Sequence, residues 1–167
     1  MSVASADLAK ALSVVWNASD LNTTFNALWS VASDEFQVLN DQEAAPDQSQ
    51  QWPYCVLDML AGDTTDRMSG ESNLSLWEIR DIPVTFQVHA KDVSGDDRTA
   101  KEIAAYLAEE ILKVYGGHPT VHPTPLTLDN GHFLITQYQN DYGVRTGDDE
   151  YSWLISYLFR LDIPVAV

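Results

Sequence analysis

The chain has 167 residues, enough for one domain with a real hydrophobic core. Apolar residues make up 45% of it, and its five Trp and seven Tyr argue against disorder. Nine basic residues stand against 25 acidic ones, so the formal net charge is −16; such a chain should be repelled by nucleic-acid phosphate, and the plainest use of the charge is solubility.

Leu8, Leu12, Val15 and Trp16 fall on one helical face, which predicts an amphipathic helix over Ser5 to Asn17. The same spacing recurs at Leu21, Phe25, Leu28 and Trp29. It predicts a second, shorter helix opened by a capping Asp20, although Thr23-Thr24 is a poor helical pair. Both faces read as core rather than as an aromatic box for a cofactor. Phe36 to Leu39 is a short strand candidate, and the polar, proline-containing stretch at about 40–52 reads as a loop. Pro53 to Leu60 is apolar throughout and predicts a well-covered strand, with Cys55, the only cysteine, as a core filler. A single cysteine excludes an internal disulfide and a Cys-based zinc site.

The stretch GDTTDRMSGESN, about 62–74, reads as a long polar connection or as a hairpin tip that orders against a partner. Alternation resumes at Leu76 to Arg80 with Trp77 and Ile79 inward, then slips by one at Asp81. A bulge there would account for the slip, and Pro83, which has no N–H to give, favours a bulge or an edge.

Ile82 to Gly116 is the organising stretch. Ile82, Val84, Phe86, Val88 and Ala90 alternate with polar neighbours, as in a half-buried strand. Ile103, Leu107, Ile111 and Val114, with Ala100 and Ala104, then recur at helical spacing. Asp96 and Asp97 suit the start of a helix of about five turns, Gly116-Gly117 suits its end, and Glu109 precedes Lys113 in the favourable order. The helix is expected to pack back over the strand.

Prolines keep HPTVHPTPL extended. Phe133 to Tyr142 predicts a strand, and Gly143 to Glu150 a turn-rich connection. Tyr151 to Ile163 is apolar at every odd position, while Leu154 and Leu158 add apolar character to its second face. At that length the strand can reach beyond one small sheet and meet a neighbouring subunit. The expected architecture is a single α+β domain over 1–167, with a largely antiparallel sheet packed against one long helix and an N-terminal helix.

Chemistry-bearing residues are sparse. His118 and His122 share i, i+4 spacing, with His132 and Asp129 further on, but prolines at 119 and 123 deny them the common helical face that metal ligation at that spacing needs. They read as surface loop histidines. His89 lies on the polar face of its strand and could pair with a carboxylate as an acid–base couple. The chain has neither a nucleophile elbow nor a phosphate-cradling glycine loop. The expectation is a non-enzyme with no cofactor and no metal. Neither a secretory leader nor a membrane-spanning run stands out, so the chain reads as soluble, made in a reducing cytoplasm and with no membrane partner.

The order of these segments is informative. LAKALSVVW is followed by LNTTFNALW, PYCVLDM, IPVTFQVHA and a helix of the AKEIAAYLAEEI type. From about Leu8 to Tyr115 this order resembles the tail-completion, or tail-terminator, proteins of long-tailed bacteriophages. The resemblance implies an α+β domain in a homo-hexameric ring that caps the tail tube, ends its polymerisation and offers a surface to the neck or connector proteins. It implies a place in the virion at the head–tail interface, and no catalytic residues. Genome DNA would pass through without specific binding. Read with the resemblance, Thr64, Thr65, Arg67, Met68, Leu154 and Leu158 become the expected subunit contacts. Asp63, Asp66, Glu71, Asp148, Asp149 and Glu150 become the expected DNA-repelling lining. The alternatives are another neck, head-completion or tube component of the same particle, or a small α+β enzyme or ligand-binding domain.

Overall fold

The computed structural model describes residues 3–28, 39–41, 51–59, 63–69, 76–93, 95, 97–130 and 132–165. Their elements run α1 (Val3–Ala18), α2 (Leu21–Asn26), β1 (Leu39–Asp41), β2 (Tyr54–Met59), β3 (Asp63–Ser69), β4 (Leu76–Lys91), α3 (Ala100–Tyr115), β5 (His132–Arg145) and β6 (Glu150–Val165). The fold is α+β. One sheet of six strands has the order β1-β2-β4-β6-β5, with β3 also paired to β4, and every pairing but the parallel β1–β2 is antiparallel.

The two longest strands build the frame. β4 and β6 pair without a break from Leu76 opposite Val165 to Lys91 opposite Glu150. Alternation along both fixes which residues face the helices. Ile82, Val84, Phe86, Val88 and Ala90 of β4 and Ile155, Tyr157, Phe159 and Leu161 of β6 are all buried. α3 packs on this face with Ile103, Ala104, Leu107, Ala108 and Ile111, and α1 joins the same core with Leu8, Leu12, Val15 and Trp16. Aromatic rings knit the layers: Phe86 stacks on Tyr115 at 4.7 Å and on Trp16 at 6.2 Å. The Tyr115 hydroxyl donates to the Leu12 carbonyl at 2.7 Å, and the Tyr157 hydroxyl to the Gly116 carbonyl at 2.8 Å. Burial raises the pKa of both phenols, so they remain donors.

Four expectations are corrected. First, the described part of the polar connection at 62–74 is strand. β3 occupies Asp63–Ser69 and pairs with β4 from Asp63 opposite Asp81 to Ser69 opposite Leu76. β2 and β3 thus follow one another along the same side of β4, and together they make a long hairpin limb. Second, no bulge interrupts β4 against β6 at Asp81. The irregularity lies on the opposite strand, between Thr64 and Asp66, which leaves Thr65 outside the ladder. The slip at Asp81 is a change in which face carries apolar side chains: the ladders put Ile79 on the face opposite to Ile82. Pro83 falls between the end of the β2 ladder at Val84 and the start of the β3 ladder at Asp81, where its missing N–H costs no pairing on that side.

Third, α3 is capped by Thr99 rather than by Asp96 or Asp97. Thr99 is extended (φ −76°, ψ 159°), its hydroxyl accepts from the Glu102 amide, and the Glu102 carboxylate accepts from the Thr99 amide. The Asp92 carboxylate takes the Ala100 amide at 2.6 Å, and the helix ends at Gly116 with φ 119°. Lys113 pairs closely with Glu110, at 2.6 Å, and more distantly with Glu109, at 4.0 Å. Fourth, Asp20 does not cap α2 through its side chain. Its backbone (φ −81°, ψ 6°) lacks the extended form a cap needs, and its carbonyl instead accepts from the Thr24 amide and hydroxyl.

Candidate assembly surface

The three described helices share one core with the same side of the sheet, so the other side is the place to look for partners. Cross-strand register arranges that open face in rows. Tyr54, His89, Ser152 and Val144 form one row; Val56, Gln87, Leu154 and Tyr142 the next; Asp58, Thr85, Ser156 and Asn140 the third. Beyond them Pro83 lies beside Leu158, and Asp81 beside Arg160 and Ile135.

The first row contains the arrangement that most resembles a reactive centre. His89 Nδ1 and Ser152 Oγ lie 2.7 Å apart, and the His89 ring stacks on Tyr54 at 4.9 Å. Trp52 meets both rings edge-on, and the Lys91 ammonium sits 4.7 Å over Trp52 while pairing with Glu150 at 3.0 Å. Burial lowers the His89 pKa, against the opposing pull of Glu150, so the ring is held neutral. A Ser–His contact of this length is within nucleophile–base reach. Ser152, however, is only 2% exposed, and it lines neither the cavity at the start of α3 nor the one at its end. The pair therefore packs the sheet. The group that His89 meets is thus a hydroxyl across the ladder, not the carboxylate with which it could have formed an acid–base couple.

The structure sorts the expected subunit contacts into two places. Leu154 and Leu158 lie half-buried on the open face, beside Gln87 and Pro83 of β4. Thr64, Arg67 and Met68 belong to the β3 ladder, opposite Arg80, Glu78 and Trp77, and Thr65 is the residue that the bulge excludes. The expected acidic lining is also divided. Asp63 and Asp66 lie on β3, opposite Asp81 and Ile79, and Glu71 lies outside the described residues. Asp148, Asp149 and Glu150 form the turn between β5 and β6, at the other end of β4. From Asp81 to Lys91 is roughly 33 Å at about 3.3 Å per residue, so the two acidic groups are not neighbours. Glu150 is already engaged by Lys91, the Asp149 carbonyl accepts the Asp92 amide, and the Asp148 carbonyl accepts from Arg145. The carboxylates of Asp148 and Asp149 remain exposed.

Surface cavities lie at both ends of α3. One, of about 290 Å³, lies at the start of α3 between Asp92, Thr99, Lys101, Arg145 and Asp148. The other, of about 430 Å³, lies at the end of α3 between Gly116, His118, His122, Thr136 and Tyr138. His118 Nε2 is 3.4 Å from Glu109, and Asp129 is held by Lys10 at 2.5 Å, so these groups are not gathered around a common point. Among the described residues no three His, Cys, Asp or Glu side chains are grouped to hold a metal ion. Cys55 is fully buried, and burial drives its thiol pKa well up, which keeps it unreactive. No helix among the described residues is long and apolar enough to cross a membrane.

One feature of the surface went unread in the sequence. β5 is an outer strand of the sheet and carries four large exposed apolar side chains: Ile135, Tyr138, Tyr142 and Val144. Its strand character is legible from Phe133 to Tyr142, but not its place at the edge, because strand order cannot be read from one strand's residues alone.

Comparison with known proteins bears on the fold. No family model matches the chain, and no curated protein matches it. Among solved structures it is similar to a chain from the virion of a native gene transfer agent particle. The identity is 17% and the TM-score 0.55, and the likeness covers 96% of this chain and 99% of that one. The two share a fold from end to end.

Proposed function

We propose that this chain is a structural protein of a phage-like virion and acts as its tail terminator. In this reading six copies close into a ring on the finished tail tube, end its polymerisation and present a joining surface to neck proteins. The observation that carries the proposal is the whole-chain likeness to a virion component, 96% of one chain against 99% of the other. The order of segments from Leu8 to Tyr115 supports the finer assignment by its resemblance to tail terminators. The long β4–β6 frame and the β3 limb supply extended strand surface for contacts between subunits. A chain of −16 suits a ring threaded by DNA, since an acidic passage lets phosphate slide without adhering.

Electron microscopy of the purified protein, with its solution mass, tests the proposal. Six-membered rings are the expected result. A chain that stays monomeric in solution and is absent from the neck of purified particles overturns it. A place within the tube or on the head side of the neck would instead assign it to another component of the same particle.

A further inference from the structure

We infer that the outer edge of β5 receives strand β3 of a second copy of this chain, so that the sheets of neighbouring subunits run into one another. The inference deepens the ring reading and rests on it for closure of the assembly.

β5 is a long outer strand whose pairing with β6 shifts register between Phe133 and Ile135 and between Tyr138 and Asn140, which leaves Asn140–Arg145, with Tyr142 and Val144, as its longest regular run at the far end. It spans His132–Arg145 with no proline and no lysine. Its two charged residues are already taken. Asp141 accepts from the Trp153 indole at 2.7 Å and from the Tyr138 hydroxyl, a contact that pushes the Tyr138 phenol up to about 12. Arg145 turns back onto the carbonyls of Gly147 and Asp148. The apolar side chains lie on both faces of the strand. Ile135, Tyr142 and Val144 share the open face with their ladder partners Arg160, Leu154 and Ser152, whereas Tyr138 lies on the helix side, next to Tyr157. A strand laid along β5 would be flanked by apolar surface above and below.

Charge selects the occupant. A basic partner would be drawn to the acidic surface that dominates a chain of −16, not to its neutral strip. An acidic partner is repelled nearly everywhere and can approach closely only where the acids are missing. Between Ile135 and Val144 the only charged residue is Asp141, which is already hydrogen-bonded. A second copy is such an acidic partner. It also brings its own open strand: β3 pairs with β4 alone among the described strands, and it is longer than the three-residue β1 at the outer position beside β2. Joining β5 of one copy to β3 of the next is a head-to-tail contact, the kind that closes into rings or runs on as filaments.

The test uses the full chain and measures self-association by sedimentation. Tyr142→Glu and Val144→Glu, each with native circular dichroism, should weaken association at least tenfold. Val14→Glu, on the exposed side of α1, should leave it unchanged. Replacing Thr64 to Ser72 with a short Gly-Ser bridge should weaken it as strongly as the β5 variants. In the unmodified chain, amide exchange along β5 should slow as concentration rises, which requires no variant to fold. The inference is overturned if either β5 or β3 can be altered without loss of association, or if β5 amides exchange equally fast at all concentrations. A ring that persists in these variants removes the β5–β3 contact and leaves the terminator reading standing; the position of the chain in the particle decides that reading separately.

Discussion

Arg160 grips Asp81 across the β4–β6 ladder with two hydrogen bonds, Nε to Oδ1 and Nη2 to Oδ2, each 2.7 Å long. The pair sits beside Pro83, where the side of β4 passes from β2 to β3. Hydrogen bonding from Arg160 holds the Asp81 carboxyl below its ordinary pKa, partly opposed by burial. A depressed carboxyl pKa adds stability that is present above its unfolded value near 4 and is lost as pH falls through the folded value. The stability gap between the unmodified chain and Asp81→Asn should therefore be level from about pH 7 to about pH 5 and shrink below about pH 4. Urea unfolding across that range measures it. A gap that stays constant into strong acid would show that the pair contributes nothing through charge.

The α3 face should be intolerant of truncation. Leu107 and Ile111 are fully buried against β4 and β6. Leu107→Ala or Ile111→Ala should each cost about 2–5 kcal/mol in denaturant unfolding, through lost burial and a residual cavity. A loss under about 1 kcal/mol at both sites would mean that this face does not hold the core.

These two regions show what was legible in the sequence. The strands β4 and β6 and the helix α3 were readable because burial on one side imposes a period, and the buried set matches that period from Ile82 to Ala90 and from Ile155 to Leu161. β3 was missed for the complementary reason. Its residues, DTTDRMS, form a strand because the backbone of β4 supplies the ladder, and pairing of that kind leaves no hydrophobic period to read. The Thr99–Glu102 capping box was legible, but Asp96-Asp97 offers the same kind of capping residue two to three positions earlier in the chain. The His89–Ser152 contact joins the second faces of two alternating strands. It could have been anticipated only with the strand register in hand.

Loss of the Thr99 cap should be modest and local. Thr99→Ala removes the acceptor for the Glu102 amide and breaks the reciprocal box, and should cost about 1 kcal/mol. Thr99→Ser should restore most of it, because Ser offers the same acceptor. Equal losses in both variants would point to the Thr methyl rather than to the cap.

The two acidic groups should behave differently toward DNA. Being separated along β4, they are not expected to line one narrow passage together. One variant carries Lys at Asp148 and Asp149, sparing Glu150 for its pair with Lys91; the other carries Lys at Asp63, Asp66 and Glu71. Only one should make assembled rings retain DNA at low salt, with retention falling as salt rises. Retention by neither, in a gel-shift series on intact rings, would place both groups away from the passage.

The central claim concerns position, and reconstruction of the intact particle tests it most directly. The account predicts density for this chain in a single six-fold layer between the tail tube and the neck, with β5 of each copy facing β3 of the next. Density anywhere else in the particle, or none at all, would contradict it.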